Sequence, residues 1–239
     1  MRVSSVSVVI IILAIFATSL YAQGARDYFD RGKAEIESEN HRAAILNFDA
    51  AIKLKPDYSD AYMERGLAKV FLGDKNGALS DFNKVIKLQP TNINAYEMRA
   101  NVRSSLHDFK GAILDFDKVI AHDPHNSMSI WGRGLAKNGL GDNLSALSDL
   151  DKAIELSPDV AMYYIDRGKI KMMEERYRDA ITDFDKALLL NPPYKAWAYL
   201  YRGRAKLSIG DKQSALSDLR LAKQMGDRDA ATLLKQLGE

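Results

Sequence analysis

Residues 62–90 read YMERGLAKVFLGDKNGALSDFNKVIKLQP, and the spacing within this stretch returns along most of the chain. Its final proline belongs to a series in which each member follows the last by 34 residues: Pro56, Pro90, Pro124, Pro158 and Pro192. Pro193 is the only proline outside this series, and it shifts the last copy of the pattern by one residue. A fixed period of this length indicates a solenoid, in which copies of one structural unit stack on their neighbours.

The second half of each repeat predicts a helix with one packed face. In the quoted stretch Ala78, Phe82 and Val85 follow the spacing i, i+4, i+7, which places them on one side of a helix. The proline at the end of the repeat stops this helix, because its ring and missing N–H are incompatible with a helix interior. The same columns recur in the other repeats as Ala44, Phe48, Ala51; Ala112, Phe116, Val119; Ala146, Leu150, Ala153; Ala180, Phe184, Ala187; and Ala215, Leu219, Ala222.

The first half of each repeat predicts a second helix. Tyr62, Gly66 and Ala68 lie on it, and the missing side chain of Gly66 allows a neighbouring helix to approach closely. Gly73 ends this helix, because glycine readily adopts the left-handed conformation that terminates helices. The same position holds Gly141 and Gly210 in two further repeats. Three repeats are expected to lack this easy helix stop, because the position holds Glu39, His107 and Glu175.

These columns resemble the tetratricopeptide repeat family, which has an aromatic residue at the fourth position, Gly at the eighth, Ala at the twentieth, a second aromatic near the twenty-fourth, Ala at the twenty-seventh and Pro at the thirty-second. The resemblance covers residues 25–226 and implies an all-α fold, a right-handed α-solenoid of six helix-turn-helix hairpins. The predicted repeats are 25–58, 59–92, 93–126, 127–160, 161–195 and 196–226. Residues 227–239 place Ala231, Leu234 and Leu237 on one helical face, and we predict a capping helix that covers the last apolar surface.

An arginine stands at the position equivalent to Arg65 in every repeat, so this arginine is a candidate for ligand binding. Arg31 is followed 16 residues later by Asn47, but the other five arginines are followed by an aspartate at that distance. These pairs are Arg65 and Asp81, Arg99 and Asp115, Arg133 and Asp149, Arg167 and Asp183, and Arg202 and Asp218. Such columns predict charge-assisted hydrogen bonds that join the helices of the solenoid. The alternative is a ladder of arginines for an acidic ligand.

The resemblance also implies a groove, because the first helices of tetratricopeptide repeats line a concave surface that holds peptides or helices. Methionine suits adaptable apolar recognition, and tryptophan and tyrosine are common interface anchors. The alternative for each candidate is packing between adjacent hairpins. Carried over by position, the predicted partner-binding residues are Met63, Leu67, Met98, Met128, Trp131, Leu135, Met162, Ile165, Met172, Trp197, Leu200 and Tyr201.

Some members of the family hold an acidic peptide terminus with a two-carboxylate clamp of Lys, Asn and Arg. That set cannot be laid onto successive repeats of this chain, because the cations Lys33, Lys169 and Arg204 are scattered in their column among Leu67, Asn101 and Leu135. A receptor for chaperone tails is therefore disfavoured.

Other classes of function find little support in the composition. The 34 basic and 32 acidic residues are interspersed and give a net charge of +2, so nucleic acid is not an expected partner. There is no cysteine, and His122 and His125 lack a third metal ligand at useful spacing. No phosphate-binding loop or nucleophile motif occurs, so we expect neither an enzyme nor a cofactor. An enzyme or metal-binding protein with an undetected site is the alternative.

The amino terminus predicts export. Residues 1–24 contain one arginine, an apolar run from Val8 to Phe16 and then small or polar residues, which is the layout of a secretory signal peptide. An uncleaved membrane anchor is the alternative, because no charge occurs from Val3 to Ala25. Under both interpretations the rest of the chain lies outside the cytoplasm, in the periplasm, a secretory lumen or the medium, with membrane contact only through residues 1–24.

Together these features predict a non-enzymatic scaffold or adapter that binds a protein or peptide in the groove, with a role in assembly of envelope or secretory complexes. Self-association of the arrays through their end repeats is a further alternative.

Overall fold

The structure is a computed structural model, and it describes residues 23–239. The predicted signal peptide or anchor lies outside the described residues, except for Gln23 and Gly24. All regular elements in this range are helices, and the described part of the first, α1, covers residues 23–37. The others are α2 (His41–Leu54), α3 (Ser59–Phe71), α4 (Lys75–Leu88), α5 (Ile93–Ser105), α6 (Phe109–His122), α7 (Ser127–Gly139), α8 (Asn143–Leu156), α9 (Ala161–Met173), α10 (Tyr177–Leu189), α11 (Lys195–Ser208), α12 (Lys212–Gln224) and α13 (Arg228–Gln236).

The described residues form two compact units, an N-terminal unit of residues 23–118 and a C-terminal unit of residues 119–239. In the N-terminal unit, consecutive helices from α2 to α5 pack on one another. In the C-terminal unit the same is true from α7 to α13, and α9 also touches α7 and α11, the first helices of the repeats on either side. Contact between the first helices of successive hairpins is what stacking requires. The predicted all-α repeat solenoid is therefore confirmed.

The aromatic column holds the two helices of a hairpin together. Phe82 and Phe184 are completely buried between the first and second helices of their repeats. A methyl group added at Gly66 would lie 2.7 Å from a ring carbon of Phe82, and one added at Gly168 would lie 2.7 Å from Phe184. These positions therefore require glycine, because the aromatic ring occupies the space that a side chain there would need.

The first helices that lack a glycine at their end stop in the same way as those that have one. Gly73 has φ of 80°, and the amides of Gly73 and Asp74 donate to the carbonyls of Val70 and Lys69 at 3.0 and 2.9 Å. These two hydrogen bonds together form the Schellman motif. The expectation that Glu39, His107 and Glu175 lose this stop is wrong, because their φ values are 58°, 62° and 58°. Both hydrogen bonds form in their repeats too, and they hold the residue in a conformation that is unfavourable for a side chain by about 1–2 kcal/mol.

The last helix, α13, covers the end of the C-terminal unit. Asp227 caps it by accepting a hydrogen bond of 2.8 Å from the amide of Ala230. Ala230 and Leu234 are buried against Leu219 and neighbouring apolar residues of the final repeat. Ala230, and not Ala231, is thus the buried alanine, because positions 230, 234 and 237 form the face that α12 contacts. The predicted face was wrong by one residue at its start.

Candidate functional site

The arginine column lies in a network of ion pairs. Arg65 donates from Nε and Nη2 to the two carboxylate oxygens of Asp81 at 3.0 and 2.5 Å, and Lys69 Nζ approaches the same carboxylate at 2.8 Å. Each aspartate of the column accepts from two cations in this way. The other sets are Arg99, Arg103 and Asp115; Arg133, Lys137 and Asp149; Arg167, Lys171 and Asp183; and Arg202, Lys206 and Asp218.

The same arginines also reach the preceding repeat. Arg65 Nη1 donates to Asp49 at 2.5 Å, Arg167 Nη1 to Asp151 at 2.7 Å and Arg202 Nη1 to Asp185 at 2.6 Å. In the third repeat the acceptor is an amide, because Arg99 Nη1 donates to Asn83 at 2.7 Å. Sequence reasoning missed both this link and the second cation of each set. The signals were a column of acids or amides before each arginine and a column of cations four residues after it.

Electrostatics favour a structural role for these arginines. Burial alone would lower the pKa of Arg65, but hydrogen bonds and charge attraction from Asp81 and Asp49 outweigh it, so the pKa is raised. The pKa of Arg167 and that of Arg202 are raised by the same balance. The guanidinium of Arg65 also lies 5.2 Å from the ring centroid of Tyr62. With its edges on carboxylates and a face on a ring, each such arginine has little left to offer a ligand.

The first repeat differs. Asn47, which the sequence matched with Arg31, donates its side-chain amide to the carbonyl of Ala43 on its own helix. Arg31 is exposed and lies 5.4 Å from the ring centroid of Tyr28.

In the C-terminal unit, predicted groove residues surround one cavity of about 180 Å³. Ile165 and Leu200 form only its floor, since they are 1% and 3% exposed, and most of their surface is used in packing between helices, the alternative considered for each candidate. They are buried because the second helices and α13 pack against them. Trp197 is 49% exposed at the edge. The full lining is Met162, Ile165, Asp166, Lys169, Trp197, Leu200, Tyr201, Asp227 and Asp229.

A second cavity of about 270 Å³ adjoins the first and shares Lys169 and Tyr201 with it. Its other walls are Met172, Met173 and Arg204. Lys169 Nζ lies 5.5 Å and Arg204 Cζ 5.7 Å from the centroid of the Tyr201 ring. These two cations, which seemed scattered in the sequence, therefore converge on one ring. We call the two cavities together the α9–α11 surface.

Trp131 lines neither cavity of this surface, but it is hydrogen-bonded to Asp166, which lines the first one. Its Nε1 donates to Asp166 at 3.0 Å, and its ring stacks on Tyr163 with centroids 5.8 Å apart. Lys169 donates to the other oxygen of Asp166 at 3.0 Å. The buried carboxylate of Asp166 thus positions both Trp131 and Lys169. Of the two remaining predicted residues on α7, Met128 is exposed and Leu135 is half-buried.

The N-terminal unit has an apolar cavity of about 290 Å³ between α3, α4 and α5. The predicted residues Leu67 and Met98 line it together with Val70, Phe82 and Val102. Met63 packs against the same core and is half-buried. This cavity has fewer charged groups than the α9–α11 surface, with Lys75 the single ionisable residue of its lining.

The described residues were also considered for a metal site and for a membrane-spanning helix. Within residues 23–239, no three His, Cys, Asp or Glu side chains are grouped so as to hold a metal ion. Within the same residues, no helix combines the length and apolar character needed to cross a bilayer.

The arrangement has counterparts among known proteins. A family model described as Tetratricopeptide repeat matches residues 29–93 and 165–231. MamA from Desulfovibrio magneticus RS-1, solved from residue 41 to its end, is 21% identical with a TM-score of 0.68 over 70% of this chain and 95% of that chain. PilW, described as a widely conserved type IV pilus biogenesis factor, is 17% identical with a TM-score of 0.77 over 88% of this chain and 98% of its own.

YrrB, described as a TPR protein with an unusual peptide-binding site, is 21% identical with a TM-score of 0.60 over 79% of this chain and 97% of its own. Among curated protein sequences, none matches. The likeness to the solved structures, all at low identity, concerns the fold. The segments that match the family model make up more than half of the 239 residues, and the chain therefore belongs to the tetratricopeptide repeat family.

Proposed function

We propose that this protein is a non-enzymatic scaffold that holds a segment of another protein on the α9–α11 surface. The observation that carries the proposal is the pair of adjoining cavities on the first helices of two successive repeats. Their walls combine Met172, Met173, Trp197 and Tyr201 with a few charged groups, which is the mixture typical of ligand-binding clefts. Met173 is 63% exposed, so much of a large apolar side chain is accessible to a partner.

The surface rests on a rigid base, which favours recognition without large rearrangement. The buried pair of Arg167 and Asp183 joins α9 to α10, and the pair of Arg202 and Asp218 joins α11 to α12. Tyr201 is supported from below by stacking on Phe184, with ring centroids 6.1 Å apart. A preformed surface loses less conformational entropy when it binds.

We further propose that the protein works outside the cytoplasm in assembly of an envelope or secretory complex. The predicted leader in residues 1–24 supports export. The similar fold of PilW, a pilus biogenesis factor, is compatible with this role. Members of the tetratricopeptide repeat family are typically interaction modules, which supports the absence of catalysis.

Site-specific photo-crosslinking in the native compartment tests the proposal. A photoreactive residue replaces Met173 or Trp197 on the α9–α11 surface, and matched controls replace Leu144 and Leu189, which are 80% exposed on second helices. We expect one defined protein to crosslink to positions 173 and 197 and not to positions 144 and 189. Equal crosslinking from both sets would contradict the proposal, and crosslinks only to a second copy of the chain would indicate self-association instead.

A further inference from the structure

We infer that the cavity formed by Lys169, Met172, Met173, Tyr201 and Arg204 receives an Asp or Glu side chain of the bound segment, with a large apolar side chain of the same segment beside it. This inference rests on the proposed function, because it names the chemistry of the partner at the same surface. The occupant is a peptide, and the group bound by the cations is a side-chain carboxylate.

Two cations of this cavity lie beside the same aromatic ring. Lys169 Nζ and Arg204 Cζ both lie within 6 Å of the Tyr201 ring centroid, at 5.5 and 5.7 Å. The ring attracts both cations. Both cations also line the same cavity, so a carboxylate that enters it can accept charge-assisted hydrogen bonds from them.

Both cationic side chains have unused hydrogen-bond donors. An ammonium has three N–H donors and a guanidinium has five. Lys169 uses one donor on Asp166 at 3.0 Å. Arg204 approaches Asp229 at only 3.7 Å, in a pair whose side chains are 39% and 72% exposed. Such an exposed and distant pair is weak, so Arg204 can turn toward a ligand at little energetic loss.

The apolar requirement follows from the rest of the lining. Met172 and Met173 form one wall of the cavity and the Tyr201 ring forms another. Methionine adapts its shape to different partners, so Leu, Ile, Met and Phe are all suitable occupants. The cations and the apolar walls belong to one depression of about 270 Å³, and the acidic and apolar side chains must therefore be near neighbours in the segment.

The charge of the adjoining cavity disfavours a second anion, because three aspartates and a single cation, Lys169, line it. Asp166, Asp227 and Asp229 line that cavity, and they would repel an acid placed there. A run of acids or a nucleic acid strand is thus disfavoured, whereas a single carboxylate at the end defined by Lys169 and Arg204 is accommodated. This pattern also differs from a two-carboxylate clamp, which needs cations for both carboxylates.

Peptide display on the full chain tests the inference. Random 12-residue peptides are displayed with their carboxyl ends fused, so that only side chains supply carboxylates, and they are selected on the wild type. We expect enrichment of Asp or Glu next to Leu, Ile, Met or Phe. In the strongest binder, replacing the acid by its amide should weaken binding about 10-fold to 100-fold, as expected for a hydrogen bond to a charged group.

Protein variants identify the residues responsible. The double variant K169Q/R204Q should lose the acid preference, and the matched control R178Q/K186Q, which removes two exposed cations of α10, should retain it. Arg204→Glu should reduce binding of the acidic peptide and improve binding of the same peptide with Lys in place of its acid. A purely structural role for Arg204 would not produce this exchange of preference.

The outcomes separate the two proposals. Selected peptides that compete with one another and depend on Trp197, but show no acid enrichment, would overturn the acidic-ligand inference and leave the scaffold proposal standing. Synthetic peptides that bind only when they carry a free carboxyl terminus or a phosphoryl group would also overturn it. Selection of no peptide at all would count against both.

Discussion

Asp183 and Asp185 lie two residues apart on α10, but their surroundings predict very different effects on stability. The Asp183 side chain is 4% exposed and accepts hydrogen bonds from Arg167 Nε at 3.0 Å, Arg167 Nη2 at 2.6 Å and Lys171 Nζ at 2.8 Å. The Asp185 side chain is 51% exposed and accepts from Arg202 Nη1 at 2.6 Å. The pair is therefore a matched comparison within one helix.

Asp183→Ala should destabilise the protein by about 3 kcal/mol, the lower end of the range for breaking a buried ion pair. The lower end applies because Arg167 and Lys171 are 17% and 14% exposed and can regain some hydration, and because Arg167 keeps its contact with Asp151. Asp185→Ala should cost about 0.2–1 kcal/mol, as exposed pairs do.

Thermal unfolding followed by circular dichroism measures the difference. A loss of 1 kcal/mol lowers the melting temperature of a chain of this size by roughly 2–4 °C, so the melting temperature should fall by roughly 6–12 °C for Asp183→Ala and by less than about 4 °C for Asp185→Ala. If both variants melt within 2 °C of each other, the structural interpretation of the arginine column is wrong. The same conclusion would follow if Asp183→Ala abolished partner binding with no change in melting.

Three more predictions concern the ends of helices and of the C-terminal unit. Leu234→Ala in α13 should cost about 2–5 kcal/mol, because Leu234 is 1% exposed, and its melting curve should shift far more than that of the exposed neighbour Thr232→Ala. Glu175→Gly should raise the melting temperature by up to about 4 °C, because the strain relieved at φ 58° is larger than the added entropy cost of ordering a glycine. An unchanged or lower melting temperature would show that the Glu175 side chain makes a compensating contact. Hydrogen bonds from the Ser145 side chain and amide lower the pKa of Asp142 in the folded protein. The ionised Asp142 therefore adds stability above the ordinary aspartate pKa of about 3.9, and this stability is lost as the pH falls through the lower folded-state pKa. In Ser145→Ala the pKa of Asp142, measured by carbon NMR titration, should rise.

The sequence by itself determined the architecture of the repeats. A period of 34 residues, one small and one aromatic column, and a terminal proline specify two helices per repeat, because each of these features acts within a few residues of chain. The partners of the arginine column within a repeat could be read in the same way, since Arg65 and Asp81 lie on the two helices of one hairpin. Their hydrogen bonds in the structure agree with that pairing.

Only the tertiary structure decided how neighbouring repeats meet. The link from Arg65 to Asp49 depends on how two successive hairpins stack, and the alignment of the repeats does not specify this stacking. The left-handed residue Glu175 is held by two hydrogen bonds of the helix end, which outweigh an unfavourable local preference.

The candidate surface was predicted only in outline. Ile165 was predicted to bind a partner from its position on the first helix, but the packing of other helices around it leaves it 1% exposed. Lys169 and Arg204 share a column in which the other repeats hold Lys33, Leu67, Asn101 and Leu135, and packing of α11 beside α9 brings both cations to the ring of Tyr201. Short-range patterns thus specify the helices, and the contacts between helices that are distant in sequence determine which side chains a partner can reach.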